Sequence, residues 1–144
     1  MLSTLYSAGL YGIDGYIVTV EADAQPKLPL FELVGLPDAA VKESRERVHS
    51  ALKNCGFEFP MRRITVNLAP GELRKEGPVY DLPILLSILA ASGAVRKPRS
   101  NSAFLGEVSL DGQIRPISGV LPMALAAKPT GIRLNSTSGG QRRA

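Results

Sequence analysis

The chain has 144 residues, 44% of them hydrophobic and 21% charged, which fits one globular domain and excludes a chain disordered throughout. The single cysteine, Cys55, excludes an internal disulfide, and the N-terminus lacks the basic and apolar segments of a secretion signal, so we expect a cytoplasmic protein. The net charge is +4, but the tail 129–144 contains three arginines and no acid, so residues 1–128 carry about +1 and charge alone is weak evidence for a nucleic-acid partner.

The first third of the chain predicts a β-hairpin, a short strand and a helix. Strand-forming residues at 3–10 and 16–22 flank a glycine-bounded turn, and a further short strand is expected at 31–34. A helix is predicted over 38–54, with Asp38 at its N-terminus. Apolar and small residues recur there at helical spacing and predict a buried stripe: Val41, Ser44, Val48, Ala51 and Leu52.

The middle of the chain predicts a strand, a loop and a buried helix. Residues 63–68 alternate between apolar and polar, which is typical of a strand with one face in the core. A loop bounded by glycine and proline follows at 69–78. A helix is then predicted over 81–92, because Pro83 fits only in a first turn. Its apolar residues cover almost every side, so we expect it to be the central helix of the core, with Leu85 and Leu89 buried.

The last third predicts a second hairpin and a helix. Asp111-Gly112 is a strong turn signal between strands at 104–110 and 113–117. Ser118 is predicted to cap a helix over 119–128. From Pro129 the hydrophobic pattern ends, so the domain is assigned to residues 1–128, and 129–144 is expected to be a disordered tail or a truncated end.

Few residues offer chemistry. Cys55 and His49 lie six residues apart on or near one helix and point to different faces, so Cys55 is interpreted as a small core residue and His49 as an ordinary surface or interfacial histidine. One cysteine and one histidine make a zinc site implausible, and no metal or cofactor site is assigned. A phosphate-binding loop needs Gly-Lys-Ser/Thr, which the chain lacks, so this chain by itself should not hydrolyse ATP.

Short basic clusters interrupt the loops. They are typical of solvated loops, and contact with DNA is the alternative that we retain. The residues concerned are Arg62, Arg63, Arg74, Lys75, Arg96, Lys97 and Arg99.

Three long stretches resemble one protein family: VGLPDAAVKESRERV, ITVNLAPGELRKEGPVYDLPILLSILAASG and FLGEVSLDGQIRPISGVLPMALAA. They are similar to the N-terminal domain of the magnesium-chelatase-like AAA+ ATPases of the YifB and ComM type, over roughly residues 6–128. That domain is similar in turn to the proteolytic domain of Lon. The resemblance implies an α/β (α+β) fold of the Lon-protease type, a mixed sheet with a buried central helix.

The resemblance also implies where a peptidase dyad would lie. Lon-like peptidases carry a serine directly after Gly-Pro, where this chain has Val79 after Gly77-Pro78. They carry a lysine shortly after the Gly-Glu hairpin, where this chain has Leu121. Neither valine nor leucine can attack a carbonyl group or accept a proton.

The resemblance therefore implies a non-catalytic accessory domain of a ring-forming ATPase, with a role in DNA processing or recombination. ATP and magnesium would bind to an ATPase module outside this chain, and the implied partners are that module, ring neighbours in a hexamer and DNA, with no membrane. Two alternatives remain open: an oligomerisation or regulatory module without DNA contact, and a peptidase whose nucleophile has moved to Ser92, Ser100 or Ser118.

Overall fold

The computed structural model describes residues 1–98, 101–135, 137–138 and 141–142. A mixed sheet of six strands forms its centre, in the order β3-β4-β2-β1-β5-β8. The strands are β1 (Leu2–Tyr11), β2 (Asp14–Gln25), β3 (Leu30–Val34), β4 (Arg63–Ala69), β5 (Ser102–Phe104) and β8 (Arg133–Asn135). The predicted α/β fold with a mixed sheet is confirmed.

The pairing defines two ends of the sheet. β1 and β2 are antiparallel from Leu2 opposite Asp23 to Tyr11 opposite Asp14. We call the end at their turn the hairpin end, and the opposite end, where Met1 and the start of β4 lie, the Met1 end. β4 is antiparallel to β2 and parallel to β3, whereas β5 and β8 extend the other side of the sheet in parallel with β1.

Helices cover both faces of the sheet. They are α1 (Ala39–Lys42), α2 (Ser44–Asn54), α3 (Asp81–Ala91) and α4 (Val120–Ala127). α3 contacts β1 and β2, and α2 lies against α3. The backbone of α4 closely approaches Gly15 in β2. Successive strand residues face opposite sides of the sheet, and Gly15 belongs to the set that faces away from α3. α4 therefore covers the face opposite α3, near the hairpin end.

α3 is the central helix that the sequence predicted. A short 3₁₀ turn, Pro78–Tyr80, precedes it, and Ile84 and Ile88 are fully buried while Leu89 is nearly so. Leu85 is only partly buried, which corrects one expectation: the helix packs mainly through the Ile84–Ile88 face. None of the helices among the described residues is both long and apolar enough to span a bilayer.

The predicted helix over 38–54 is divided at a single residue, Glu43, which separates α1 from α2 although its backbone stays in the right-handed helical region. The cap prediction is confirmed, since the Asp38 carboxylate accepts a hydrogen bond from Val41 N at 2.8 Å. The predicted stripe is also confirmed, since all five of its residues are buried.

Several expectations for the second half of the chain were wrong. Phe104 belongs to β5 of the main sheet, so the second hairpin contains only β6 (Glu107–Val108) and β7 (Ile114–Arg115) around the predicted Asp111-Gly112 turn. The residue at the N-terminus of α4 is Gly119, in a left-handed conformation, and no side chain caps this helix. Cys55 is exposed rather than buried, because it follows the last residue of α2 and faces the Asp111 carbonyl.

The domain boundary also differs from the prediction. β8 pairs with β5, and the buried Asn135 donates a hydrogen bond to the Ala103 carbonyl oxygen, so the sheet extends beyond Lys128. A polar segment can join a sheet because an existing strand edge supplies its backbone partners. Two short strands, β9 (Thr137–Ser138) and β10 (Gln141–Arg142), pair with each other. The rest of the expected tail lies outside the described residues.

Candidate functional site

A cleft of about 550 Å³ opens beside the 3₁₀ turn that precedes α3. It is built from the end of β1, the start of α1, the 3₁₀ turn, β6 and the segment before α4. Segments far apart in the sequence therefore meet here only through the fold. Its walls include three carboxylates, Asp38, Glu76 and Glu107, and none of its lining residues is a lysine or an arginine.

The two dyad positions implied by the resemblance lie in different surroundings. Val79 is almost fully buried and lines the cleft. Leu121, in the first turn of α4, is 71% exposed and lines a separate depression of about 330 Å³ together with Ile13 and Leu125. The cleft therefore presents an aliphatic side chain at the first dyad position, and the second points elsewhere.

Of the three alternative serines, only Ser118 lines the cleft. Within the described part of the chain, no hydrogen bond reaches its hydroxyl group. Two of the three carboxylates already have partners: Asp38 accepts hydrogen bonds from Val41 N and Gly77 N, and Glu107 pairs with Arg115 at 3.3 Å. Ser92 ends α3 and donates to the Leu89 carbonyl at 3.0 Å, and Ser100 lies outside the described residues.

A buried ionic network supports the cleft from behind. Asp81, the first residue of α3, is fully buried. Its carboxylate accepts hydrogen bonds from Arg47 Nε at 2.6 Å, from Val108 N at 3.0 Å and from the Ser44 hydroxyl. The hydrogen bond to Asp81 raises the pKa of the Arg47 guanidinium further above its ordinary value. This network joins α2, α3 and β6, and so fixes the elements on either side of Val79.

Two tyrosines lie beside the cleft. The hydroxyl groups of Tyr80 and Tyr16 both lie against Gly9, where a side chain would collide with them. Burial is the main cause that raises the pKa of each phenol, and the negative charge of Glu76 adds to it. Both tyrosines are therefore neutral at physiological pH, and they lie behind Gly9, which lines the cleft.

Lys75 cannot contact DNA, because its side chain is fully buried. Its ammonium group donates to the carbonyl oxygens of Gly35 at 2.8 Å, Leu73 at 2.5 Å and Pro70. Burial lowers the pKa of this amine, although the charge of Glu72 opposes the shift. Three backbone acceptors match the three donors of an ammonium group. Lys75 therefore fastens the loop 70–75 to the segment that leads into α1.

The remaining basic candidates divide between the two ends of the sheet. Arg62 lies just before β4 and Arg63 is its first residue, both at the Met1 end. Arg63 forms an ion pair with Glu32 at 3.4 Å. Arg96 and Lys97 are exposed and follow Gly93, which lies against Met1, so they are at the same end. Arg74 is exposed on the loop after β4, away from that end, and Arg99 lies outside the described residues.

Sequence reasoning missed two features of this region. The three carboxylates of the cleft come from separate segments, and no local pattern brings them together. Asp81 was interpreted only as the start of a helix, whereas it is the centre of the buried network. A charged residue within an apolar run was the one available signal, because buried charges are usually paired.

Comparison with known proteins identifies the family. Residues 20–135 match the family model described as subunit ChlI of Mg-chelatase. The chain is 45% identical over 128 residues to competence protein ComM of Haemophilus influenzae, covering 88% of this chain and 25% of ComM. It is 39% identical over 134 residues to the uncharacterized protein YifB of Escherichia coli, covering 92% of this chain and 26% of YifB.

A more distant relative is Lon protease of Mycolicibacterium smegmatis, 28% identical over 127 residues, which are 84% of this chain and 16% of Lon. The chain spans about a quarter of the length of ComM and YifB. The predicted resemblance is confirmed: the chain belongs to the magnesium-chelatase-like (ChlI) family of ComM and YifB and corresponds to its N-terminal, Lon-protease-like domain.

Proposed function

We propose that this chain is a non-catalytic accessory domain of a larger magnesium-chelatase-like AAA+ ATPase, and that the full-length protein acts in DNA processing or recombination. The proposal rests on Val79, which occupies the cleft where a Lon-type peptidase needs a hydroxyl nucleophile. The similarity to a protein named for competence supports the connection to DNA. ATP and Mg²⁺ would bind to a module outside this chain, in a ring that we expect to be hexameric.

The cleft chemistry argues against proteolysis. A serine nucleophile needs an adjacent base that accepts its proton, and removing one member of such a pair costs orders of magnitude in rate. Val79 has no polar side-chain atom, and Leu121 has no amine. Ser118 would need a new base: Asp38 and Glu107 already hold other partners, and no described hydrogen bond joins the Ser118 hydroxyl group to Glu76.

Charge decides which surface DNA would contact. Three carboxylates line the cleft, and phosphate groups would be repelled there. The Met1 end carries the exposed Arg62, Arg96 and Lys97. We therefore assign DNA contact to the Met1 end, and withdraw Lys75 from the set of candidates because it is buried.

Fluorescence anisotropy with single-stranded and double-stranded DNA tests this assignment. A few phosphate contacts should give dissociation constants of about 10⁻⁴–10⁻⁶ M that weaken steeply with salt. The double variant Arg96→Glu/Lys97→Glu should lower the affinity several-fold, whereas Arg74→Glu, away from the Met1 end, should change it less. The measurements should be repeated with Arg142 and Arg143 replaced by alanine, because basic tails bind DNA without a folded surface.

Absence of binding at low salt would reject the DNA contact. The second candidate, a module for assembly or regulation of the ATPase ring, would then be preferred. The cleft lined by acids favours that candidate, since it does not suit a polyanion.

A further inference from the structure

Four large apolar side chains are exposed together at the hairpin end of the sheet. Tyr11 and Ile13, at the β1–β2 turn, are 71% and 87% exposed, and Leu121 and Leu125, on α4, are 71% and 62% exposed. We call these four residues the hairpin–α4 patch. Large residues are exposed singly on most proteins, but a group of four on adjacent elements needs an explanation.

The two halves of the patch form one surface. The carbonyl group of Pro122 lies so close to Gly15 that no side chain could fit there, and Leu10 lies against Gly119 at the start of α4. A depression of about 330 Å³ between the turn and the helix is lined by both halves. The patch therefore offers two ridges with a socket between them, which is a shape that can receive an apolar side chain.

The chemistry of the patch fits a large apolar partner. Val120–Ala127 contains no charged residue, and the charged residue that lines the depression, Asp14, is acidic, so a polyanion would gain no ion pair on this surface. From their exposed fractions, the four side chains leave roughly 500 Å² of mainly apolar surface in water, near the upper end of what a monomer exposes in one patch. The tail 136–144 contains no large apolar side chain, so it is unsuited to cover the patch.

We propose that the hairpin–α4 patch is the docking surface for the module that follows this domain in the full-length protein. The inference rests on the proposed function, because it requires the chain to be one part of a longer ATPase. Related proteins are about four times as long as the region they share with this chain. Interfaces between domains of one chain typically bury about 600–1,500 Å², an area to which a patch of this size can contribute a large part.

The direction of the last sheet strand supports this occupant. β8 is parallel to β5 and β1, and the registers place Asn135 level with Phe104 and with Ser7. β1 continues from Ser7 for four residues to Tyr11, which is about 13 Å at 3.3 Å per residue. The chain therefore leaves β8 heading toward the hairpin end, and β9 then contacts β7, the strand that leads into α4, before the antiparallel β9–β10 pair reverses the chain direction. A following module therefore begins on the side of the domain that carries the α4 half of the patch.

Site-specific photo-crosslinking in the full-length protein tests the proposal. A benzophenone amino acid is placed at position 121, and a matched control at position 28, since Leu28 is 88% exposed between β2 and β3 at the Met1 end. We expect position 121 to crosslink to peptides that lie beyond residue 144, with a yield several-fold above that of position 28. Crosslinks to residues 1–144 of a second copy, or a yield no higher than the control, would overturn the proposal.

A second measurement does not depend on the probe. Amide hydrogen exchange over residues 120–127 should slow in the full-length protein relative to the 144-residue chain, and Leu121→Glu/Leu125→Glu should abolish that slowing. Equal exchange in the two proteins would also overturn the proposal. ATP hydrolysis and DNA binding by the full-length protein are measured separately, so a negative result there rejects the proposed function without changing the crosslinking result.

Discussion

Replacing Asp81 by alanine should destabilise the domain by about 3–5 kcal/mol, the usual cost of breaking a buried ion pair from one side. Asp81 is fully buried, and the Arg47 side chain is only 18% exposed. The change leaves the guanidinium group without the oxygens that it reaches from Nε at 2.6 Å and from Nη2 at 3.0 Å. Water can therefore replace the lost hydrogen bonds of the Arg47 guanidinium group only in part.

Two neutral donors also lose their acceptor. The Ser44 hydroxyl group and Val108 N both donate to Asp81 from buried positions, and an unsatisfied buried donor costs about 1–3 kcal/mol. Since these costs are not additive, a total near the upper end of the range for a broken ion pair is reasonable. Asp81→Asn keeps the shape and one acceptor oxygen, so its effect should be smaller.

Urea unfolding followed by circular dichroism measures these differences in the 144-residue chain. The single variants Asp81→Ala and Arg47→Ala and the double variant form a cycle, whose coupling free energy should be about 1–3 kcal/mol. The reasoning would be refuted if Asp81→Ala lowered the free energy of unfolding by less than about 1 kcal/mol, or if the losses of the two single variants simply added in the double variant. If Asp81→Ala does not fold, Asp81→Asn replaces it in the cycle.

Three further predictions concern catalysis, packing and pH. The purified chain should not cleave casein, and Val79→Ser should remain inactive because the second dyad position is Leu121, which has no amine and lies outside the cleft. Turnover by either protein, surviving repeated purification, would contradict this. Ile84→Ala should cost about 2–5 kcal/mol in unfolding free energy, whereas Leu85→Ala should cost clearly less because its side chain is only partly buried. Equal losses would show that the buried face of α3 is wrongly assigned. The raised pKa of Tyr80 keeps this residue protonated in the folded state at pH values where free tyrosine ionises, near pH 10. The free energy of unfolding should therefore fall as pH rises above about 10. Tyr80→Phe should reduce that fall in urea titrations at pH 9–11, and an unchanged pH dependence would contradict the prediction.

The sequence by itself determined the elements that depend on neighbours along the chain. Alternation over 63–68 gave β4, and the position of Pro83 fixed the start of α3 within an apolar run. Asp111-Gly112 fixed the second turn, where Gly112 has a φ of 91°. The counts of cysteine and histidine and the lack of a phosphate-binding loop limited the chemistry. Each of these signals is local, because periodicity and turn preference act over a few residues.

Only the tertiary structure decided which side chains are accessible and which of them meet. Lys75 looked like a solvated loop residue, yet three backbone carbonyl groups from two segments enclose its ammonium group. Cys55 looked like a core residue, yet it lies beyond the packed end of α2 and is exposed. The acidic cleft and the Asp81 network join residues about 30 to 70 positions apart. Such contacts depend on how the sheet orders its strands, and local sequence patterns contain no information about that order.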